Sequence, residues 1–158
     1  MENSARFGDN LFEGANPIDV AFDTLWVTHR EFWLVAGDGP GADVSTAIPV
    51  GDSLAHNGEA VGIPTLAEGF VNVALSAWAS RPPHAQGFLL GSCSINANER
   101  EVSLINVEGR EPGPVLVLEE AGEHQVSVWR SIPQNDDDFE MFDIRIWLGP
   151  ISSQGPPG

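Results

Sequence analysis

Two alternating stretches near the C-terminal end decide the fold: Glu123-His-Gln-Val-Ser-Val-Trp129 and Phe139-Glu-Met-Phe-Asp-Ile-Arg-Ile-Trp-Leu148. In both, apolar residues recur at every second position, the period that places alternate side chains on opposite faces of a sheet. We therefore predict two half-buried β-strands. The connecting residues 130–138 end in Asn-Asp-Asp-Asp, which predicts an exposed acidic loop.

Two regions upstream show β-type patterns as well. Residues 25–36 form β-rich segments around Thr28-His-Arg30, which predicts a hairpin. A continuous bent strand is the alternative, because this tripeptide lacks the Gly or Asn that such turns favour. Residues 70–79 also alternate, and we predict a strand rather than an Ala-rich helix because Gly69 and Arg81-Pro-Pro83 bracket too few residues for a stable helix.

The middle of the chain adds further strands. Residues 87–95 and 101–107 predict a second hairpin, with Asn98 at positive φ in the turn between them. The short apolar run 115–118 predicts a strand that is buried on both faces or crosses between sheets. The Gly- and Pro-rich region 37–69 predicts loops with one or two short edge strands, either as a binding loop or as ordinary surface packing.

Regularly spaced strands with turn signals between them indicate an all-β fold. We predict an antiparallel two-sheet β-sandwich, jelly-roll-like, rather than an α/β sheet. The length of 158 residues is typical of one domain. We therefore expect a single domain over residues 1–150 and a flexible tail over residues 151–158.

Charge restricts the partners of this chain. It carries 23 acidic residues against 7 basic ones, all arginine, for a formal net charge of −16. Such a field repels nucleic-acid phosphates and anionic lipids and attracts basic proteins or cations. We therefore predict a basic protein partner, no nucleic acid and no membrane. Alternatively, the acidity only keeps the protein soluble or suits a high-salt cytoplasm.

The single cysteine and the first residues bear on the compartment. Cys93 has no partner for an intrachain disulfide, and its apolar neighbours predict a buried small hydrophobe. The first ten residues lack a basic segment followed by an apolar run, and no stretch reaches the length of a bilayer span. We expect a cytoplasmic location.

No residue pattern predicts catalysis. The chain lacks a Gly-x-Ser-x-Gly nucleophile motif, and Gly37-Asp-Gly-Pro-Gly41 lacks the lysine and the following helix of a phosphate-binding loop. Four histidines lie in separate segments without the spacing of zinc ligands: His29, His56, His84 and His124. We predict that the protein is not an enzyme and uses no cofactor.

The acidic loop allows three interpretations. It is a solvated turn that protects a sheet edge, a calcium site that lacks the Asp-x-Asp-x-Asp-Gly pattern, or a contact surface for a basic protein. For the last of these, the candidate contact residues are Asp136, Asp137, Asp138 and Glu140, followed by Glu119 and Glu120.

A second functional hypothesis is a calcium-dependent or carbohydrate- or small-ligand-binding sandwich. In this hypothesis Trp78 or Trp129 is the stacking platform. The other strand-borne tryptophans, Trp26, Trp33 and Trp147, are expected in the core, because such rings usually pack against cross-strand neighbours.

The C-terminal strands also resemble a known family. The matching residues are Gly122-Glu-His-Gln-Val-Ser-Val128, Asp136-Asp-Asp-Phe-Glu140 and Phe142-Asp-Ile-Arg-Ile-Trp147 with Pro150. In this order of turn, strand, acidic loop and strand, the chain resembles the small acidic bacterial proteins typified by competence protein J, a nuclease inhibitor. His124 departs from the aromatic residue expected at its position. The resemblance implies a β-sandwich and an inhibitor or immunity-type partner of a basic protein, such as a nuclease or toxin.

Overall fold

The described part of the chain contains ten strands. A computed structural model describes residues 16–37, 43–108, 114–132 and 139–149, and within these ranges there is no helix, hence none that could span a membrane. The strands are β1 (Asp19–Val27), β2 (Glu31–Ala36), β3 (Ala55–His56), β4 (Ala60–Pro64), β5 (Gly69–Trp78), β6 (Phe88–Ala97), β7 (Glu101–Ile105), β8 (Val115–Val117), β9 (Gly122–Ser131) and β10 (Glu140–Leu148).

The strands form two five-stranded sheets that pack face to face. The first sheet has the order β1-β5-β10-β9-β6 and the second has the order β3-β4-β2-β7-β8. This arrangement confirms the predicted all-β, two-sheet sandwich. One pair differs from a purely antiparallel sandwich, since β10 runs parallel to β5 while it pairs antiparallel with β9.

The C-terminal strands β9 and β10 form the predicted antiparallel pair and occupy inner positions of the first sheet. Ile144 lies opposite Val128, and both side chains point into the sandwich. The strands are buried on both faces, so the prediction of half-buried strands is wrong. The reason is the segment between β5 and β6, which crosses the outer face of β10 and β9 to reach the far edge of the sheet.

Neither upstream connection forms a hairpin. β1 and β2 belong to different sheets, as do β6 and β7, so each turn carries the chain across the sandwich. The first turn places His29 at φ 63° and Arg30 at φ 60°, which are unusual values for residues with side chains. In the second turn the positive φ belongs to Arg100 rather than to the predicted Asn98. Alternation reveals a strand but not the sheet that it joins.

The Gly- and Pro-rich region contributes two short strands, as predicted, but only β3 lies at an edge. β4 is buried along its whole length between β3 and β2. A Cβ atom at Gly62 would overlap the carbonyl oxygen of Ala47, which accepts a hydrogen bond from the Trp33 indole at 2.8 Å. At the other edge of this sheet, β8 exposes Val117, which contradicts burial on both faces, one of the two alternatives for this run.

The core between the sheets contains aliphatic residues from both layers and the T-shaped ring pair Phe32 and Phe142, 5.1 Å apart. Cys93 lies in this core, as predicted, and burial raises the pKa of its thiol to about 12. Trp33 and Trp147 are buried, but outside the core between the sheets, since Trp33 belongs to a second cluster with Ala47 and Trp147 lies on the outer face of the first sheet; Trp26, expected in the core, is 48% exposed.

Candidate interaction surface

The predicted contact residues fall into three different settings. Asp136, Asp137 and Asp138 lie outside the described residues. Glu119 and Glu120 are exposed in the turn between β8 and β9. Glu140 differs from the expectation of a surface contact, because it points inward at the start of β10 and is only 8% exposed.

Glu140 belongs to a polar group that closes one end of the core. Its two carboxylate oxygens accept hydrogen bonds from the backbone N–H of Leu66 at 3.2 and 3.0 Å. The Nε atom of Arg130 lies 3.9 Å from this carboxylate, and Arg130 Nη1 donates to Asp52 at 3.3 Å. Burial raises the pKa of Glu140, while Leu66 and Arg130 oppose this rise. The group therefore joins β9 and β10 of the first sheet to the segments that precede β3 and follow β4 of the second sheet.

A polar cavity of about 440 Å³ opens beside this group. Its wall contains carboxylates, a guanidinium and an imidazole, so the lining combines acidic and basic groups. Its lining residues are His29, Arg30, Glu31, Pro49, Gly51, Asp52, Pro64, Thr65 and Leu66.

On the outer face of the first sheet, Arg145 occupies the space between two tryptophans. Its guanidinium lies 5.2 Å from the centre of the Trp78 ring and 5.8 Å from that of Trp129. Pro83, in the crossing segment, accepts a hydrogen bond from Arg145 at 3.0 Å. Trp78 and Trp129 are consequently buried, so the prediction that either ring is an exposed stacking platform is wrong.

Another corner of the same face exposes three aromatic rings, which we call the aromatic triad: Trp26, Phe70 and Phe139. Their side chains are 48%, 48% and 40% exposed. The ring centres of Trp26 and Phe70 are 4.8 Å apart in an edge-to-face arrangement, and those of Phe70 and Phe139 are 5.7 Å apart. Such contacts order the three rings relative to one another.

Strand pairing explains why these rings lie together. Trp26 of β1 is directly opposite Phe70 of β5, and Glu140 of β10 pairs with Val71, which places Phe139 beside Phe70. Because Leu25 and Val71 point into the core, their neighbours Trp26 and Phe70 must point outward.

Acidic residues adjoin the triad. Glu68, which is exposed, precedes β5 and accepts a hydrogen bond from the His29 backbone at 3.3 Å. Glu108 accepts one from the Thr28 hydroxyl at 2.9 Å, just beyond the end of β1.

Our interpretation of the sequence missed the triad because it assigned Trp26 to the core. The available signal was the phase of alternation, which sets Trp26 and Phe70 on the face opposite Leu25 and Val71.

The described side chains do not form a metal site. Within residues 16–37, 43–108, 114–132 and 139–149, no three His, Cys, Asp or Glu side chains come together as a cation site would require. The aspartates predicted as calcium ligands lie outside these ranges, so calcium binding there stays a prediction.

Comparisons with known proteins find similarity in fold alone. The chain matches no protein-family model and no curated protein sequence. It is similar in structure to ComJ, described as an inhibitor of the DNA degrading activity of NucA, from Bacillus subtilis, with a TM-score of 0.63 at 10% identity over 84% of this chain and 98% of that one. It is also similar to the protein of crocagin biosynthetic gene J, with a TM-score of 0.55 at 14% identity over 81% and 96% of the two chains. The fold of this chain is therefore that of the ComJ sandwich.

Proposed function

We propose that this protein is a non-enzymatic binding protein that inhibits, or confers immunity to, a basic protein such as a nuclease or toxin. The observation that carries this proposal is the charge, with 23 acidic residues against 7 arginines. Arg130 is buried beside Glu140 and Arg145 beside Asp143, so burial removes as many negative as positive groups from the surface and the excess of acids over bases is unchanged. A surface this acidic attracts a cationic protein and repels nucleic acid.

The likeness to ComJ supports an inhibitor-type role. ComJ is described as inhibiting a DNA-degrading activity. A nuclease binds phosphates through a basic surface, and an acidic protein of suitable shape can cover that surface. In this proposal the interaction takes place in the cytoplasm, where a single cysteine without a disulfide is the ordinary state.

We assign the first electrostatic contact to Asp136, Asp137 and Asp138, with Glu119 and Glu120 as a second group. Glu140 has a different role, because its carboxylate is held by Leu66 and lies close to Arg130. It anchors the start of β10 directly after the three aspartates in sequence, while those aspartates steer the approach of the partner.

The test begins with the partner. The immobilised full chain is exposed to extract from its own cells at about 50 mM salt, where charge attraction is weakly screened. We expect a protein rich in Lys and Arg to bind and to elute as salt is raised, and we expect the purified partner to lose its DNA-degrading or toxic activity when the chain is added. A bound protein without net positive charge, or one whose activity is unaffected, would contradict the proposal.

The contact residues are then tested by association kinetics. Replacing Asp136, Asp137 and Asp138 together by Lys should slow association at least about 10-fold at low salt and flatten its salt dependence. The matched control makes the same charge change at distant exposed sites: Glu59→Lys, Glu99→Lys and Glu123→Lys. Equal slowing by both variants would show that net charge, and not this loop, steers the partner.

A further inference from the structure

We propose that the aromatic triad is the docking surface for arginine side chains of the basic partner. This inference rests on the proposed function and names the part of the surface that supplies short-range affinity. The acidic residues would accelerate the encounter, whereas the triad would slow dissociation.

The triad has the composition of a binding surface. Trp26, Phe70 and Phe139 come from three neighbouring positions of one sheet face, and each is at least 40% exposed. Exposed rings in mutual contact are already ordered, so their side chains lose little conformational entropy when a partner packs on them. Aromatic residues are enriched where partners bind and carry much of the binding energy.

The same sheet face shows which ligand its rings accept. Towards the opposite end of β5 and β10, Trp78 and Trp129 hold the guanidinium of Arg145 at 5.2 and 5.8 Å, and the Arg81 guanidinium lies 5.8 Å from the centre of the Trp147 ring. Within the described ranges, no guanidinium lies against the triad. The triad therefore offers aromatic rings like those that hold an arginine elsewhere on this face, but the rings of the triad are exposed.

Charge around the triad selects for the same ligand. Glu68 directly precedes β5, which carries Phe70, and Glu108 accepts a hydrogen bond from Thr28 just beyond the end of β1, which carries Trp26. A planar guanidinium can stack on a ring while its N–H groups bond a carboxylate, so arginine fits this mixture better than an aliphatic side chain. A partner with arginines at its surface complements both the rings and the acidic rim.

The indole N–H signal of Trp26 in a ¹⁵N-labelled full chain provides the readout, assigned with Trp26→Phe. The probe is the capped peptide Gly-Arg-Gly-Arg-Gly, and the matched control peptide carries citrulline in place of arginine, which keeps the shape and removes the charge. We expect the arginine peptide to shift the Trp26 signal in a saturable manner. An unchanged signal would overturn the proposal.

Variants at Phe70 separate ring chemistry from hydrophobic contact. Phe70→Leu keeps an apolar side chain without a π face, and we expect it to weaken arginine-peptide binding about 2- to 5-fold, the range of an exposed cation–π contact. Phe88→Leu, at an exposed ring on β6, should leave binding unchanged. Melting temperatures close to that of the wild type confirm that the variants fold. If Phe70→Leu binds as tightly as the wild type, the triad is not the arginine site.

The design distinguishes this inference from the proposed function. If charge reversal at residues 136–138 slows association of the partner while Phe70→Leu binds the arginine peptide as tightly as the wild type, the acidic contact is retained and the triad is rejected. If charge reversal at residues 136–138 leaves the association rate of the partner unchanged while Phe70→Leu weakens binding of the arginine peptide, the triad is retained and the steering role is rejected.

Two other occupants of the triad, the N-terminal segment and a second copy of the chain, would each give a different result. If the combined substitutions Phe7→Ala, Leu11→Ala and Phe12→Ala in the full chain shift the Trp26 signal without peptide, the N-terminal segment occupies the triad and the proposal is overturned. If the Trp26 signal changes on dilution of the protein alone, a second copy occupies it, with the same consequence.

Discussion

Arg145 donates hydrogen bonds from Nε and Nη2 to the two carboxylate oxygens of Asp143 at 3.0 Å each, although only one residue separates them on β10. Both side chains are buried beneath the segment that crosses from β5 to β6. Burial raises the pKa of Asp143, and Arg145 opposes this rise. The outer face of the first sheet thus contains a small polar core of its own, outside the sandwich.

This ion pair yields a stability prediction. Arg145→Ala leaves the buried Asp143 carboxylate without its partner, and we expect a loss of about 3–5 kcal/mol in the free energy of unfolding by urea. Replacing both members by apolar residues of similar volume, Asp143→Leu with Arg145→Met, should recover most of that loss. If the single variant loses less than about 1 kcal/mol, the pair is screened by solvent.

Glu140 predicts a pH dependence. Burial raises its pKa above 4.5 in the folded state, so the folded protein holds this proton more tightly than the unfolded chain does. The wild type should therefore gain stability relative to Glu140→Gln as the pH falls from neutrality towards 4.5. Urea unfolding at a series of pH values measures the difference. Glu119→Gln, at an exposed site, is the control, and an equal pH trend in both variants would argue against the burial of Glu140.

The burial of Cys93 predicts that its thiol is unreactive in the folded protein. Its side chain lies in the core, and burial raises its pKa to about 12, so almost no thiolate exists near pH 8. We expect no reaction with a colourimetric disulfide reagent in the native protein and complete reaction in guanidinium chloride. Rapid native reaction would show that β6, at the edge of its sheet, opens locally.

The turn between β1 and β2 predicts a stabilising substitution. Arg30 has a φ of 60°, a conformation that glycine adopts without the steric cost of a Cβ atom. Arg30→Gly should therefore raise the free energy of unfolding by about 1 kcal/mol, as measured by urea. Arg30→Ala keeps the Cβ atom and should give no such gain, which makes it the matched control. A loss in both variants would mean that the arginine side chain itself stabilises the turn.

The candidate site was predictable only in its charge. Asp136, Asp137 and Asp138 stand out by composition, yet Glu140, from the same cluster, is buried because β10 begins there and directs it inward. The triad depends on pairing between β1, β5 and β10, which are far apart in sequence. No local pattern records which strands become neighbours.

Alternation, turn residues and composition determined that this chain is an all-β sandwich with a strongly acidic surface, because the period of two and the net charge are local or additive properties. Tertiary structure alone decided that the turns at residues 28–30 and 98–100 cross between sheets. It also decided that Trp78 and Trp129 are buried around Arg145, while Trp26 and Phe70 are exposed. The physical reason is that burial on the outer face depends on where the crossing segment lies, and its position follows from the order of strands across the sheet rather than from any residue within them.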